Sequence, residues 1–444
     1  MYQALEQEIQ RLIETGVLHE GDALPGSREL AQKLGLSRKT VVTAMDRLTE
    51  GGLLERRNRV GLFVSGHSIP SAVALEEKEE TVQSAEPKIS TPRLIVDAGL
   101  PDITLMPAVE LGRTYRQFFC CMTKWKQHEM PDLHGLYELR QAIAMAMCHS
   151  RSICAGVDDL MITSGTKQSV FLAAHALLHP GDTVVVEELI NEDLARVYEI
   201  AGLRVVRVAV DSNGLRVDSL KDLLEQDNTI RAVHVTPRVN YPTTVPLSAE
   251  RSQQLVQLVL DHNLLLVEDD YDGFFHMTRL PKSTLSSMLP KDNYVYACTS
   301  TRLLSPMVRI GFVVSSCSNI SRMTDLKSMV EGTGDVVLER ALMAMIDAGD
   351  IRRHIRRASK VYKERLDYIS QLINRELQGQ VRYKRPQSGL AIWLELSDDP
   401  TQRLQSKGIV VPTFALSNGR FGLRIGYASM SKEGMEQLVE ALKE

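Results

Sequence analysis

Apolar residues in the first 65 positions recur at helical spacing. Leu5, Ile9, Leu12 and Ile13 fall on one helix face, and Gly16 ends that run. The spacing predicts a second helix starting at Ser27, an N-cap type of residue, with Leu30, Ala31 and Leu34 turned inward. After a turn at Gly35, Ser37 opens a third helix with Val41, Ala44, Met45 and Leu48 inward, closed by Gly51 and Gly52. Two helices joined by so short a turn form a helix-turn-helix. Leu54 to Val64 reads as two short strands around a tip, the wing of a winged helix.

Past residue 92 the pattern changes to short apolar runs separated by helical segments. The runs Leu160–Thr163, Thr183–Val186, Ala232–Thr236, Leu264–Glu268 and Tyr294–Thr299 are rich in Val, Ile and Leu, as buried parallel strands are. They predict an α/β sheet wrapped by helices. A basic amphipathic helix is predicted from about Asp350 to Gln378, followed by alternating strands and helices.

Length and composition sharpen this division. A chain of 444 residues suggests more than one domain. Residues 67–92 hold five glutamates and three prolines but no aromatic residue, so they bury too little apolar surface to repay chain entropy. We expect a winged helix at 1–66, a linker at 67–92 and a large α/β domain at 93–444, with a small C-terminal subdomain at about 350–444. Fully extended, the linker would reach roughly 80 to 90 Å at about 3.3 Å per residue. No stretch approaches the ~18 consecutive apolar residues of a membrane span, and the start lacks a signal-peptide core, so a cytoplasmic protein without membrane contact is expected. The six cysteines, Cys120, Cys121, Cys148, Cys154, Cys298 and Cys317, lack metal or disulfide spacing and are expected to be reduced, with Cys120, Cys121 and Cys298 buried and inert.

The net charge of −4 gives no reason to expect nucleic acid, but its distribution does. Arg28 to Arg59 contains eight cations against four acids. Arg38, Lys39 and Thr40 occupy the first turn of the third helix, where they and the helix N-terminus can meet bases and phosphates. Arg57 and Arg59 place charge on the wing, and Arg28, Ser37 and Gly61 complete the expected DNA-facing set. The cationic run Arg352, Arg353, Arg356, Arg357, Lys360, Lys363 and Arg365 could touch DNA, though such a face is commonly just solvated.

In the large domain, Ser164, Gly165 and Thr166 follow a strand and open a helix, offering backbone N–H groups to an anion. Glu268, Asp269, Asp270 and Tyr271 end another strand, Arg309 lies between two apolar runs, and Arg424 is a lone charge in a strand.

In this order the segments resemble fold-type I aminotransferases that use pyridoxal phosphate (PLP). With the N-terminal unit, the chain resembles the MocR subgroup of GntR-type regulators, a winged helix fused to an aminotransferase-like domain. The resemblance rests on LPGSRELAQKLGLSRKTVVTAMDRLTEGGLLERR and GLFVSG, then on DLHGLYELRQAI, ITSGTKQ, HPGDTVVVE, NYPTT, VEDDYD, SPMVRIGF and LRIGYA. It implies an N-terminal all-α/winged-helix DNA-binding domain and an α/β fold-type I domain with a mixed, mostly parallel sheet and flanking helices. It places the cofactor phosphate near Gly165, Thr166 and Arg309, the pyridine nitrogen at Asp269, Tyr271 beside the ring, Asn240 or Tyr241 near the phenolic oxygen, and a ligand carboxylate at Arg424. It also implies a domain-swapped homodimer that reads two half-sites of double-stranded operator DNA and senses a small-molecule effector.

Three positions depart from that pattern. Arg302, in Thr299 to Gly311, stands where the family has its Schiff-base lysine, and a guanidinium is neither a nucleophile nor a proton-transfer base near neutral pH. Asn191 replaces the ring-stacking aromatic, and Thr244 replaces the glycine of Pro-Thr-Gly. Lys167, one residue past the phosphate cup, is expected to point along the helix surface and not to substitute as the amine. The expectation is a catalytically inactive domain that binds PLP without a covalent bond or takes an amino acid or other anionic ligand. An active PLP enzyme and a bare dimerisation scaffold are the rival readings.

Overall fold

The computed structural model describes residues 2–14, 17–50, 52–57, 61–65, 93–122, 133–276 and 283–443. Arg59, Gly16, Gly51 and the linker 67–92 lie outside the described residues, as does the side chain of Arg57. The chain divides into two compact units, 1–87 and 88–444.

The first unit contains α1 (Tyr2–Glu14), β1 (Ala23–Leu24), α2 (Ser27–Leu34), α3 (Arg38–Glu50), β2 (Leu54–Arg57) and β3 (Gly61–Val64). Its core gathers Ile9, Ala31, Val41, Met45, Leu48, Leu54 and Val64, each buried, so the helix-period residues do meet. Ser37 caps α3, its Oγ accepting from the Thr40 amide at 3.1 Å. Two expectations fail here. Gly26, not Ser27, sits at the N-cap of α2, with Ser27 its first helical residue, and Leu34 is 47% exposed because it lies past the last inward turn. The antiparallel sheet also has a third strand, in the order β1-β3-β2.

The second unit is built on strands β4 (Leu160–Thr163), β5 (Thr183–Glu187), β6 (Arg204–Val208), β7 (Ile230–Val235), β8 (Leu265–Asp270), β9 (Tyr294–Thr299) and β10 (Gly311–Val314). They form one seven-stranded sheet in the order β4-β10-β9-β8-β7-β5-β6. The pairs from β9 to β6 are parallel, while β10 runs antiparallel to both its neighbours. Alternation sends side chains to opposite faces: Met161, Val184, Ala232, Val267, Val295 and Val313 join one core and Ile162, Val185, Val233, Leu266, Tyr296 and Phe312 the other. Burial on both faces is why these strands read as unbroken apolar runs. Each fully buried aliphatic side chain contributes about 1.5 to 3 kcal/mol.

Helix α4 (Thr166–Leu177) follows β4, and a 27-residue helix α5 (Asp350–Glu376) leads to the C-terminal part. Helix α5 buries His354, Ala358, Tyr362, Leu366, Ile369 and Ile373 along one stripe. Strands β11 (Arg382–Tyr383), β12 (Ala391–Leu396), β13 (Thr413–Ala415) and β14 (Phe421–Gly426) form an antiparallel sheet in the order β11-β12-β14-β13. Among the described residues, no helix is long and apolar enough to cross a membrane.

Candidate functional site

The C-terminal ends of the parallel strands bring the ligand-type residues together, where α/β sheets place ligands. Gly165 joins β4 to α4 with φ of 128°, a conformation that favours glycine. A Cβ there would lie 3.2 Å from Thr299 Oγ1, and a Cβ on Gly311 would lie 2.8 Å from the Gly165 Cα. Two glycines thus let β10 pass against the loop.

Strand β8 sorts its acids by pleat. Glu268 and Asp270 face one side, where Glu268 accepts from the Ser286 amide at 2.8 Å and Asp270 accepts from Arg151 Nε at 2.7 Å and from the Tyr296 hydroxyl. Burial raises the Asp270 carboxyl, but Arg151 and Arg238 overcome it and hold the group below its ordinary range. Asp269 faces the other side, and its one hydrogen bond among the described residues comes from Thr166 Oγ1 at 3.3 Å. Burial, then the neighbouring Asp270, push its carboxyl up to about 8. Glu187, at the end of β5, is pushed up to about 7 by burial, opposed by the Thr236 hydroxyl and amide and by Asn240.

Tyr271 follows Asp269 by two residues. Its hydroxyl accepts from Arg424 Nη2 at 3.1 Å, and its ring lies perpendicular to that of Tyr241 at 6.2 Å. Arg424 in β14 has no exposed surface; it donates from Nε to Ala98 O at 2.9 Å and from Nη1 to Pro242 O at 2.7 Å. Arg302 is half-buried, with its guanidinium carbon 5.7 Å from the Tyr271 ring centre and Nη1 donating to the Gly99 carbonyl. The structure therefore gathers Gly165, Thr166, Asp269, Tyr271, Tyr241, Arg302 and Arg424. Asn240, buried nearby, accepts from the Thr243 hydroxyl at 2.6 Å. Arg309 is exposed, on a small cleft with Thr163 and Ser164 beside the Gly165 turn.

The positions that depart from the sequence pattern have local explanations. Asn191 caps the helix Glu192–Ile200, its side chain accepting from the Asp193 amide at 3.0 Å. Thr244 takes φ of 60°, strained for a β-branched residue and easy for glycine. Lys167 is exposed and pairs with Asp193, away from Asp269. Of the thiols expected to be inert, Cys298 is buried with its thiol pushed up by burial, but Cys120 is exposed and Cys121 half-buried because they end a surface helix. Among the described residues, no group of His, Cys, Asp and Glu is placed to hold a metal ion.

Sequence reasoning missed the supports of this site: Arg151, Glu187, Tyr296 and the segment 97–100. A signal existed only for Glu187, a carboxylate ending an apolar strand.

In the first unit, Arg28, Ser37, Arg38 and Lys39 are exposed and Thr40 is half-buried at the start of α3. Among the described residues Arg28, Arg38 and Lys39 pair with no carboxylate, whereas Lys33 pairs with Glu29 at 2.7 Å and Arg47 with Glu6 at 2.9 Å. Gly61 opens β3 opposite Arg57 with φ of 143°. On α5, Arg352, Arg353, Arg356, Arg357, Lys360 and Lys363 are all exposed, with Arg353 paired to Asp350 and Arg357 donating to Leu105 O.

A family profile described as "Aminotransferase class I and II" matches residues 123–442, and one described as "Bacterial regulatory proteins, gntR family" matches residues 1–64. The chain is 26% identical over 365 residues to the HTH-type pyridoxine biosynthesis transcriptional regulator PdxR of Corynebacterium glutamicum, covering 82% of this chain and 77% of that protein. It is 25% identical over 474 residues to the probable rhizopine catabolism regulatory protein MocR of Rhizobium meliloti, covering 100% and 93%. Among solved structures, Pyrococcus horikoshii kynurenine aminotransferase superposes with a TM-score of 0.71 at 23% identity over 80% of this chain and 91% of that one.

Proposed function

This chain belongs to the class I and II aminotransferase family and carries a gntR-type winged helix before that domain, and from this premise we propose that it is a DNA-binding transcription regulator whose large domain senses a small anionic ligand without catalysing transamination. The observation that carries the reading is Arg302. It lies against Tyr271 beside Asp269, in a segment that we read, from its resemblance to the family, as the counterpart of the lysine-bearing motif. A guanidinium stays charged, so it supplies neither a nucleophile nor a base near neutral pH.

The residues fit PLP in part. Gly165 stands at a helix start, where its amide donates to Thr163 Oγ1 at 3.3 Å and the Ser164 amide to Gln168 Oε1 at 2.7 Å, Thr166 and Arg309 flank that turn, and Asp269 is a buried acid whose one hydrogen-bond partner among the described residues is a hydroxyl. These would hold the phosphate and the ring nitrogen, with Asn240 or Tyr241 toward the phenolic oxygen. When bound, PLP supplies an electron sink. In this chain the residues bind and orient, and among the described residues Lys167, the lysine nearest the phosphate turn in sequence, is turned outward to Asp193.

On the DNA side, Arg38 and Lys39 at the start of α3 and Arg28 on α2, none of which pairs with a carboxylate among the described residues, support major-groove contact, with Ser37, Thr40, Arg57, Arg59 and Gly61 completing the interface. A homodimer would present two such helices to two half-sites.

Equilibrium dialysis against PLP, with bound PLP measured before and after borohydride reduction, tests the pocket. The expected result is reversible binding that reduction does not trap. Covalent trapping on a lysine would overturn the assignment of Arg302, and absence of bound PLP would remove PLP as the ligand.

A further inference from the structure

Arg302 is an electrostatically incomplete group. It is half-buried, its one hydrogen bond among the described residues goes to the Gly99 carbonyl, and no described carboxylate lies within ion-pair distance of it. Asp272 and Asp269 act on it only at longer range, and a cation partly withdrawn from water without a direct ion pair is costly. A guanidinium carries five N–H donors, so four have no partner among the described residues.

Arg424 faces the same place. It donates to Ala98 O, the carbonyl next to the one that Arg302 holds, and the two guanidinium carbons lie 5.7 and 5.9 Å from the Tyr271 ring centre. Because consecutive carbonyls receive both arginines, one small molecule can touch both. Arg424 has three of its donors engaged, by Ala98 O, Pro242 O and Tyr271 OH.

The acids facing this pair are Asp272 and Asp269. Asp272 lies 3.9 Å from Arg424 Nη2 and accepts from the Leu390 amide at 3.0 Å, so it offsets Arg424 in part. Burial raises the carboxyls of both Asp272 and Asp269, which reduces their capacity to neutralise the arginines. Tyr241, the remaining polar side chain here, stacks edge-on with Tyr271.

We propose that Arg302 and Arg424 are the two poles of one anion site, and that the effector of this domain is a small dicarboxylate with one carboxylate on each guanidinium. Carboxylates accept from arginine through two parallel, charge-assisted bonds, which a backbone carbonyl does not match. The ligand lies against the segment 97–100, which is pinned by Asp97 O accepting from the Gly426 amide at 2.7 Å and by Asp97 Oδ1 accepting from the Gly99 amide at 2.6 Å. This inference rests on the ligand-sensing reading above and narrows its ligand.

The test is titration calorimetry of the full chain with succinate, glutarate and, as the single-carboxylate control, butyrate, together with hydrogen exchange. Succinate or glutarate should bind saturably and butyrate at least about tenfold more weakly, the factor expected for loss of one charge-assisted pair. Arg302→Gln should lower dicarboxylate affinity by a similar factor, and saturation of the unsubstituted protein should alter amide exchange at 97–100. Equal binding of butyrate, an unaffected Arg302→Gln, or exchange changes confined to other segments would each overturn the proposal. If PLP binds in dialysis while neither dicarboxylate does, the ligand-sensing reading stands and this inference falls; if PLP and both dicarboxylates fail to bind, both fall.

Discussion

Replacing Asp269 by Asn removes a buried acid and should change how stability depends on pH. The native carboxyl keeps its proton up to about 8, whereas the ordinary value is 3.8. Between those limits the folded state binds more protons than the unfolded chain. Stability contributed by this group is therefore fully present below the ordinary value and is lost as pH rises, by about 1.4 kcal/mol per pH unit, levelling off above the folded value. From pH 6 to 8 the wild type should lose roughly 2 to 3 kcal/mol more than Asp269→Asn. Urea unfolding followed by tryptophan fluorescence is the assay, because Trp393 lies buried in β12 of the second unit and neither of the two tryptophans falls within residues 1–87 of the sequence. Glu187, itself raised to about 7, titrates in the same window in both proteins, so its contribution cancels in the comparison. Parallel pH profiles for the two proteins would refute the assignment of Asp269 as a neutral buried acid.

Other substitutions probe separate parts of the chain. Gly311→Ala would place a Cβ 2.6 Å from Cys298 O and 2.8 Å from Gly165 Cα, both backbone, so it should cost at least about 1 to 3 kcal/mol in urea unfolding and weaken ligand binding at the Gly165 turn. Arg38→Ala should weaken operator binding by about 1 to 3 kcal/mol in anisotropy titrations without altering the circular dichroism spectrum; unchanged binding would displace α3 as the reading helix. Leu48→Ala, at a residue 2% exposed, should cost about 2 to 5 kcal/mol, enough to abolish DNA binding while ligand binding by the second unit persists.

The parts of the fold that local periodicity encodes were legible in the sequence. The inward faces of α1 and α3, the wing and the main strands follow from spacing, because the period of 3.6 or 2 and burial act over a few residues. The two-residue strand β1 is too short to leave a pattern. The supports of the site were hidden for a different reason. Arg151 reaches Asp270 across 119 positions and Arg302 reaches Gly99 across 203, and nothing in either neighbourhood names its partner. Asn191 illustrates the opposite case: absence of the expected aromatic was plain, but its use as a helix cap needed the backbone.

On the function proposed above, the electrostatics of the pocket suit binding better than proton shuttling. Transamination needs a group that gives up and retakes a proton beside the ligand near neutral pH. Arg302 and Arg424 stay charged. Asp269 is held neutral up to about 8, and Glu187, though raised to about 7, is committed to the Thr236 amide and hydroxyl. His234 is pushed down to about 4 by burial, and its Nδ1 lies 2.8 Å from the Tyr198 hydroxyl. On this reading the site presents fixed positive charge and neutral acids, which suits a ligand held by its own negative charge. On the proposed reading, such a ligand would regulate DNA binding only through unequal affinity for two arrangements of a dimer. Moving their ratio from 1:99 to 99:1 requires about 10⁴-fold preference, so a weakly discriminating anion would occupy the pocket without switching the protein. A ligand that engages both arginines at once has more contacts to lose on rearrangement, and with them more capacity to discriminate.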